Sequence, residues 1–165
     1  MDEEIEELYL KYRNNIYNYI YQLSHNKSAS EELTQDTFLK VFKYFNGYDG
    51  RSSVKTWLYK IARNTFLDYV RKSHINKEET TLEYDIADTL DDYNTSDEKI
   101  VINKILSSLT ETEKTLILLK DFHGFSYSEI SSINGLNTGQ VKTGIYRARK
   151  KFKELYESEC GVRKK

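Results

Sequence analysis

Residues 76–98, NKEETTLEYDIADTLDDYNTSDE, carry one Lys against nine acidic side chains and no regularly spaced apolar stripe. A hydrophobic core does not continue through such a strip, because too little apolar surface is available to offset the entropy of ordering it. The strip therefore reads as a solvated, flexible acidic linker that divides the 165-residue chain into two small domains, 1–75 and 99–165. Cores of that size are thin, but 14 Tyr and 7 Phe fill them generously. The formal net charge of -1 is a cancellation between segments. Block 1–75 holds 11 basic and 10 acidic residues, and block 99–165 holds 13 basic and seven acidic. Arg51 to Lys72 carries six cations against Asp68 alone, and Lys142 to Lys153 carries six with no acid. Two basic stripes separated by an acidic tether point to nucleic acid.

Both blocks read as all-α, since no segment alternates with period two over strand length. Ile5, Leu8, Tyr12, Ile16, Tyr19, Ile20 and Leu23 recur at steps of three and four, which predicts one long amphipathic helix. Ser28 with Glu31 predicts a capping box opening a second helix, buried along Leu33 or Thr34, Phe38, Val41, Phe42 and Phe45. Asn46-Gly47 and Asp49-Gly50 end it in a loop. A third helix is predicted from about Ser53 to Lys72, with Val54, Trp57, Leu58, Ile61, Ala62, Thr65 and Tyr69 inward. In the second block, Thr95 with Glu98, Thr110 with Glu113 and Ser126 with Glu129 each predict a helix start. Asn134-Gly135 ends a short helix, and a last helix follows from about Thr138 to Glu157, burying Val141, Ile145, Ala148, Phe152 and Leu155.

A short capped helix, a Gly turn and a longer basic helix form a helix-turn-helix pattern. The first helix braces the second, whose start presents side chains to base edges in the major groove. The outward candidates are Gln140, Lys142, Thr143, Tyr146, Arg147 and Lys150. Lys142 and Arg147 suit guanine or phosphate; six phosphate contacts would give a log-log salt slope of about -5. On the third helix Tyr59, Lys60, Arg63, Asn64 and Arg71 could track a single strand, with Asn64 bonding a splayed base, or could belong to an ordinary surface helix. Spacing alone leaves both readings open, and Trp57 fits a core position better than a stacking platform.

Several classes are excluded. His25, His74 and His123 lie far apart, none at ligand spacing with another His, Cys or paired carboxylate, and no Gly-rich phosphate loop occurs. The lone Cys160 allows no disulfide framework and no thiolate zinc site. No enzyme activity, cofactor or metal is expected. The absence of a long apolar run and the acidic start MDEEIEE lead to the expectation of a cytoplasmic protein with no membrane insertion.

The segment GRSSVKTWLYKIARNTFLDYVRK resembles the promoter-melting and -10-reading segment of extracytoplasmic-function (ECF) sigma factors. SEELTQDTFLKVFKYF resembles the preceding helix of that family, and FSYSEISSINGLNTGQVKTGIYRARKKF its -35-reading domain. The resemblance implies a protein that directs core RNA polymerase to promoter DNA. It places a sigma region 2 domain at 1–75, a linker at 76–98 that threads toward the active-site and RNA-exit channel, and a region 4 domain at 99–165. Glu32, Gln35, Asp36 and Lys40 would dock on the clamp helices of the largest polymerase subunit, with the flap of the second largest as a further contact. Asn64 matches a reader of a flipped -10 base, in a pocket formed with the loop at Asp49 to Val54. Arg51, Lys55, Lys60, Arg63, Arg71 and Lys72 fall to the same -10 DNA. Gln140, Lys142, Thr143, Tyr146, Arg147, Arg149 and Lys150 fall to the -35 duplex. The resemblance also implies a membrane-anchored anti-sigma partner.

Three positions depart from the family pattern. Val54 stands for a usual Phe at the loop-to-helix junction, and Asn137-Thr138 for a proline-containing start of the recognition helix, which then relies on side-chain capping. Gly144 stands where a further cation is frequent, removing a backbone contact and costing about 1 kcal/mol of helix stability. The competing reading is an ordinary helix-turn-helix regulator whose first block senses a partner. Neither a heptad run beyond one helix nor palindromic logic supports the dimer such a regulator usually forms.

Overall fold

The computed structural model describes residues 2–76 and 96–161, and every regular element among them is helical. The chain divides into two compact units, Met1–Asp88 and Thr89–Lys165. Asn76, the first residue of the acidic strip, closes a helix, Ser96–Glu98 open another, and residues 77–95 lie outside the described residues.

In the first unit, α1 (Asp2–Ser24), α2 (Lys27–Tyr44) and α3 (Val54–Asn76) pack against one another. Ile16, Tyr19, Ile20 and Leu23 of α1 are buried, as the three-four spacing predicts. Against them pack Leu33, Phe38 and Val41 of α2 and Leu58, Tyr59, Ala62 and Phe66 of α3. Burying each large apolar side chain contributes about 1.5–3 kcal/mol. The Tyr19 and Tyr59 rings lie 5.2 Å apart at the centre of this core. Burial, with Tyr19 beside it, drives the Tyr59 hydroxyl well above its ordinary pKa. Tyr59 is therefore core and cannot stack on a nucleic-acid base.

Two expectations for α2 are corrected. Its N-cap is Asn26, whose side chain accepts from Ala29 N at 2.9 Å, so Ser28 and Glu31 lie inside the helix and form no capping box. Phe42 is 59% exposed rather than buried. The inner stripe is instead filled by Ser30, Thr34 and Thr37. Thr34 and Thr37 donate to the carbonyls of Ser30 and Leu33, at 2.6 and 2.7 Å, and so enter the core without an unsatisfied hydroxyl. On α3, Tyr69 likewise lies at the exposed edge, while Thr56 and Phe66 take inward positions. Ser53 starts α3, accepting from Thr56 N at 3.1 Å.

The second unit comprises α4 (Asp97–Ser108), α5 (Glu111–Ile117), a π-helical turn (Leu118–Phe122), α6 (Tyr127–Asn134) and α7 (Thr138–Glu159). Ser96, not Thr95, caps α4, accepting from Lys99 N at 3.3 Å; Thr95 lies outside the described residues. The boxes at Thr110–Glu113 and Ser126–Glu129 both close in both directions. Ile105, Leu106, Leu116, Ile117, Leu118, Leu119, Phe125, Ile130, Ile133, Val141, Ile145 and Ala148 are buried together. His123 belongs to the turn after the π-helical segment, its N–H bonding the Leu118 carbonyl at 2.9 Å.

Candidate nucleic-acid interface

Gly135 adopts φ 67°, a left-handed conformation that ends α6 and that glycine alone reaches without a Cβ penalty. Ser131 Oγ secures the turn by donating to the Leu136 carbonyl. Asn137 then caps α7: its side chain accepts from Gln140 N at 2.7 Å, while Gln140 Oε1 accepts from Asn137 N at 3.0 Å. The carbonyl end of the Gln140 side chain is thus committed to the helix start, leaving its amide group as the outward donor.

With Val141, Ile145 and Ala148 buried, the helical repeat turns Thr143, Tyr146, Arg147 and Lys150 outward. Tyr146 is 70% exposed. The six cations of α7 divide into two kinds. Arg149 forks onto Asp121, Nε to Oδ2 at 3.0 Å and Nη2 to Oδ1 at 2.5 Å. Lys151 bonds Glu113 Oε2 at 3.1 Å. Lys142, Arg147, Lys150 and Lys153 form no ion pair among the described residues, and Lys142 lies 5.6 Å from the Tyr127 ring centre.

Gly144 has a role that the sequence did not reveal. It faces α5, and a Cβ built on it would stand 2.6 Å from Leu116 Cδ1. The residue is an approach point between α5 and α7, not a missing cation on the outer face.

In the first unit, Asn64 and Lys60 are exposed along α3, with Arg71 and Lys72 further along the helix. Arg63 is half-buried; its Nε is buried without a hydrogen-bond partner, and desolvation lowers its pKa. Arg51 pairs with Asp49 at 3.2 Å within the loop, Lys55 is half-buried, and Arg71 lies 3.5 Å from Asp68. Trp57 is half-buried beside Tyr48 and Phe45, at ring separations of 5.1 and 6.4 Å, and Val54 is half-buried at the same junction. Tyr48 donates its hydroxyl to the Ser52 carbonyl, shaping the loop.

Glu32 and Gln35 are exposed on α2, and Asp36 is half-buried. Lys40 is tied to α3, donating to Thr65 Oγ1 at 3.0 Å and lying 3.9 Å from Asp68. The same face carries Leu39, 67% exposed, and Phe42, which sequence reading missed. Their signal was available: Glu32, Gln35, Leu39 and Phe42 recur at steps of three and four on one helix face.

Two helical units, the second built on a helix-turn-helix with unpaired cations along its second helix, define a two-domain helix-turn-helix protein. Family comparison is more specific. The Sigma-70 region 2 model matches residues 8–74 and the Sigma-70 region 4 model residues 100–152. The ECF RNA polymerase sigma factor SigM of Bacillus subtilis is 31% identical over 158 residues, covering 92% of this chain and 94% of that protein. The RNA polymerase sigma factor YlaC of the same species is 31% identical over 160 residues, covering 92% and 91%. The sigma factor RpoE of Bartonella quintana, solved with the anti-sigma factor NepR, superposes with a TM-score of 0.81 at 26% identity, over 94% of this chain and 98% of that one. The chain belongs to the ECF sigma factors of the sigma-70 family.

Proposed function

We propose that the protein binds core RNA polymerase and directs it to promoters by reading a -35 duplex with α7 and a melted -10 strand with α3 and the preceding loop. The observation that carries this reading is the division of cations on α7. Arg149 and Lys151 are paired within the unit, while Arg147 and Lys150 share an open face with Tyr146. Lys142, Thr143, Tyr146, Arg147 and Lys150 meet the duplex, with Gln140 offering its amide donor. Three to four phosphate contacts then give a log-log salt slope of about -3 to -4, shallower than six contacts would.

On α3, Asn64 bonds the flipped base and Lys60, Arg71 and Lys72 follow the strand, with Arg51, Lys55 and Arg63 at the loop and inner edge. The Phe45, Tyr48 and Trp57 rings beside that loop supply an aromatic wall. The exposed α2 face, with Glu32, Gln35, Asp36, Leu39 and Phe42, docks on the clamp helices of the largest subunit; exposed Leu39 and Phe42 suit a buried interface centre. Lys40 acts from the edge of that face. Region 4 meets the flap of the second largest subunit, and the acidic strip follows the nucleic-acid channel.

The protein works in the cytoplasm, and no helix among the described residues is long and apolar enough to cross a membrane. An anti-sigma factor anchored in the membrane holds it inactive; the complex of RpoE with NepR supports an anti-sigma partner of some kind. The test is transcription in vitro with core polymerase on a genomic fragment library. Start sites that depend on the protein and share two upstream sequence blocks are expected. Tight duplex binding without polymerase, together with no protein-dependent start site, would instead establish an ordinary regulator.

A further inference from the structure

We propose that Arg149 is a positioning residue: through its fork onto Asp121 it fixes the pose of α7 in the duplex, and it makes no phosphate contact. The inference rests on α7 being the helix that reads duplex DNA.

Successive residues of a helix are rotated by about 100°. Arg149 therefore stands about 100° from Lys150, on the flank of α7 that meets the π-helical turn. Lys142, seven residues earlier, returns to the same flank and lies over the Tyr127 ring. Lys120 lies over that ring as well, at 4.4 Å, and anchors the turn by donating to the Phe125 carbonyl at 3.2 Å. Asp121 belongs to the π-helical turn, and its carboxylate meets α7 at Arg149. Hydrogen bonds to Asp121, with Tyr127 adding a smaller contribution, hold the guanidinium above even the ordinary arginine pKa. The opposite flank of α7 is fixed in the same manner, by Lys151 on Glu113 of α5. Recognition helices read bases only at one depth and tilt, so a tie on each flank acts on specificity rather than on charge.

Charge leads to the same conclusion. A guanidinium with Nε and Nη2 occupied by both oxygens of one carboxylate is a neutral pair, and a neutral pair displaces no counterion from DNA. Removing Arg149 should leave the salt slope unchanged, whereas removing a phosphate contact lowers it by about 1.

The experiment measures binding of the full chain with core polymerase to a promoter duplex and to the same duplex with a scrambled upstream element, from 50 to 200 mM salt. Asp121→Asn and Arg149→Gln should each lower the discrimination between the two duplexes by about tenfold, and the double variant should lose no more than either single. The Arg149→Gln slope should equal that of the native protein, while Arg147→Ala should lower it by about 1. Arg149→Lys keeps the charge but not the fork, and should lose discrimination as well. The proposal is overturned if Asp121→Asn tightens binding by freeing a phosphate contact, if Arg149→Gln flattens the slope, if the two losses add, or if Arg149→Lys discriminates normally. Should the native protein itself ignore the upstream element, the promoter-reading function falls, and this inference with it.

Discussion

Gly144→Ala sets two effects of known size against each other. Alanine is favoured over glycine in a helix interior by about 1 kcal/mol, so an open helix surface would gain that much. The added methyl would stand 2.6 Å from Leu116 Cδ1, about 1 Å inside ordinary contact, and Leu116 is itself buried. Forcing a methyl into a packed core costs about 1–3 kcal/mol. The variant should therefore lose up to about 2 kcal/mol, a fall of about 4–8 °C in Tm per kcal/mol for a unit of this size. The assay is urea unfolding followed by far-UV ellipticity, with fluorescence of Trp57, the single tryptophan, reporting the first unit. Only the ellipticity should respond. In a Leu116→Val background the offending Cδ1 is gone, and Gly144→Ala should become neutral or stabilising. A gain of the full 1 kcal/mol in the native background would refute the close approach and restore Gly144 as a vacant place on the DNA-facing surface.

Asn64→Ala should slow open-complex formation at least tenfold while leaving polymerase affinity unchanged, measured by permanganate footprinting beside a gel shift with core enzyme; equal opening would remove Asn64 from the -10 pocket. Leu39→Asp should reduce affinity for core polymerase at least tenfold while moving stability by no more than about 0.5 kcal/mol, since the side chain is already exposed. Burial acts to raise the Glu113 carboxyl, but hydrogen bonds from Thr110 N and the Lys151 ammonium outweigh it and hold the group below its ordinary value of 4.5. A carboxylate depressed by folding contributes stability that is present above 4.5 and is lost as pH falls through the lower folded value. Native protein should thus exceed Glu113→Gln in urea midpoint at pH 7, with the gap closing below pH 4.5; a constant gap would show that the charge plays no part.

What the sequence made legible was local. Thr110, Ser126 and Asn137 announce their helices because a cap and its partner lie three residues apart, within reach of pattern reading. Ser28–Glu31 has the same spacing and fails because Asn26 engages the chain first. Phe42 falls outside the core because Ser30, Thr34 and Thr37 fill the inner face of α2, and the two threonines satisfy their hydroxyls within their own helix. Arg149 and Gly144 resisted for another reason. Their roles depend on Asp121 and Leu116, each 28 residues away, and no helical period encodes such a meeting. Family resemblance identified α7, but only geometry separated its tied cations from its open ones.

The Asn137–Gln140 box, standing where the family resemblance implies a proline-containing helix start, also bears on how the protein reaches its fold. With that position filled by Asn, the chain contains no proline at all. Its unfolded ensemble holds essentially every peptide bond in the trans form, so refolding has no isomerisation step of tens of seconds to wait for. After dilution from urea, both units should regain their helices in one fast stage, and a prolyl isomerase should have nothing to accelerate.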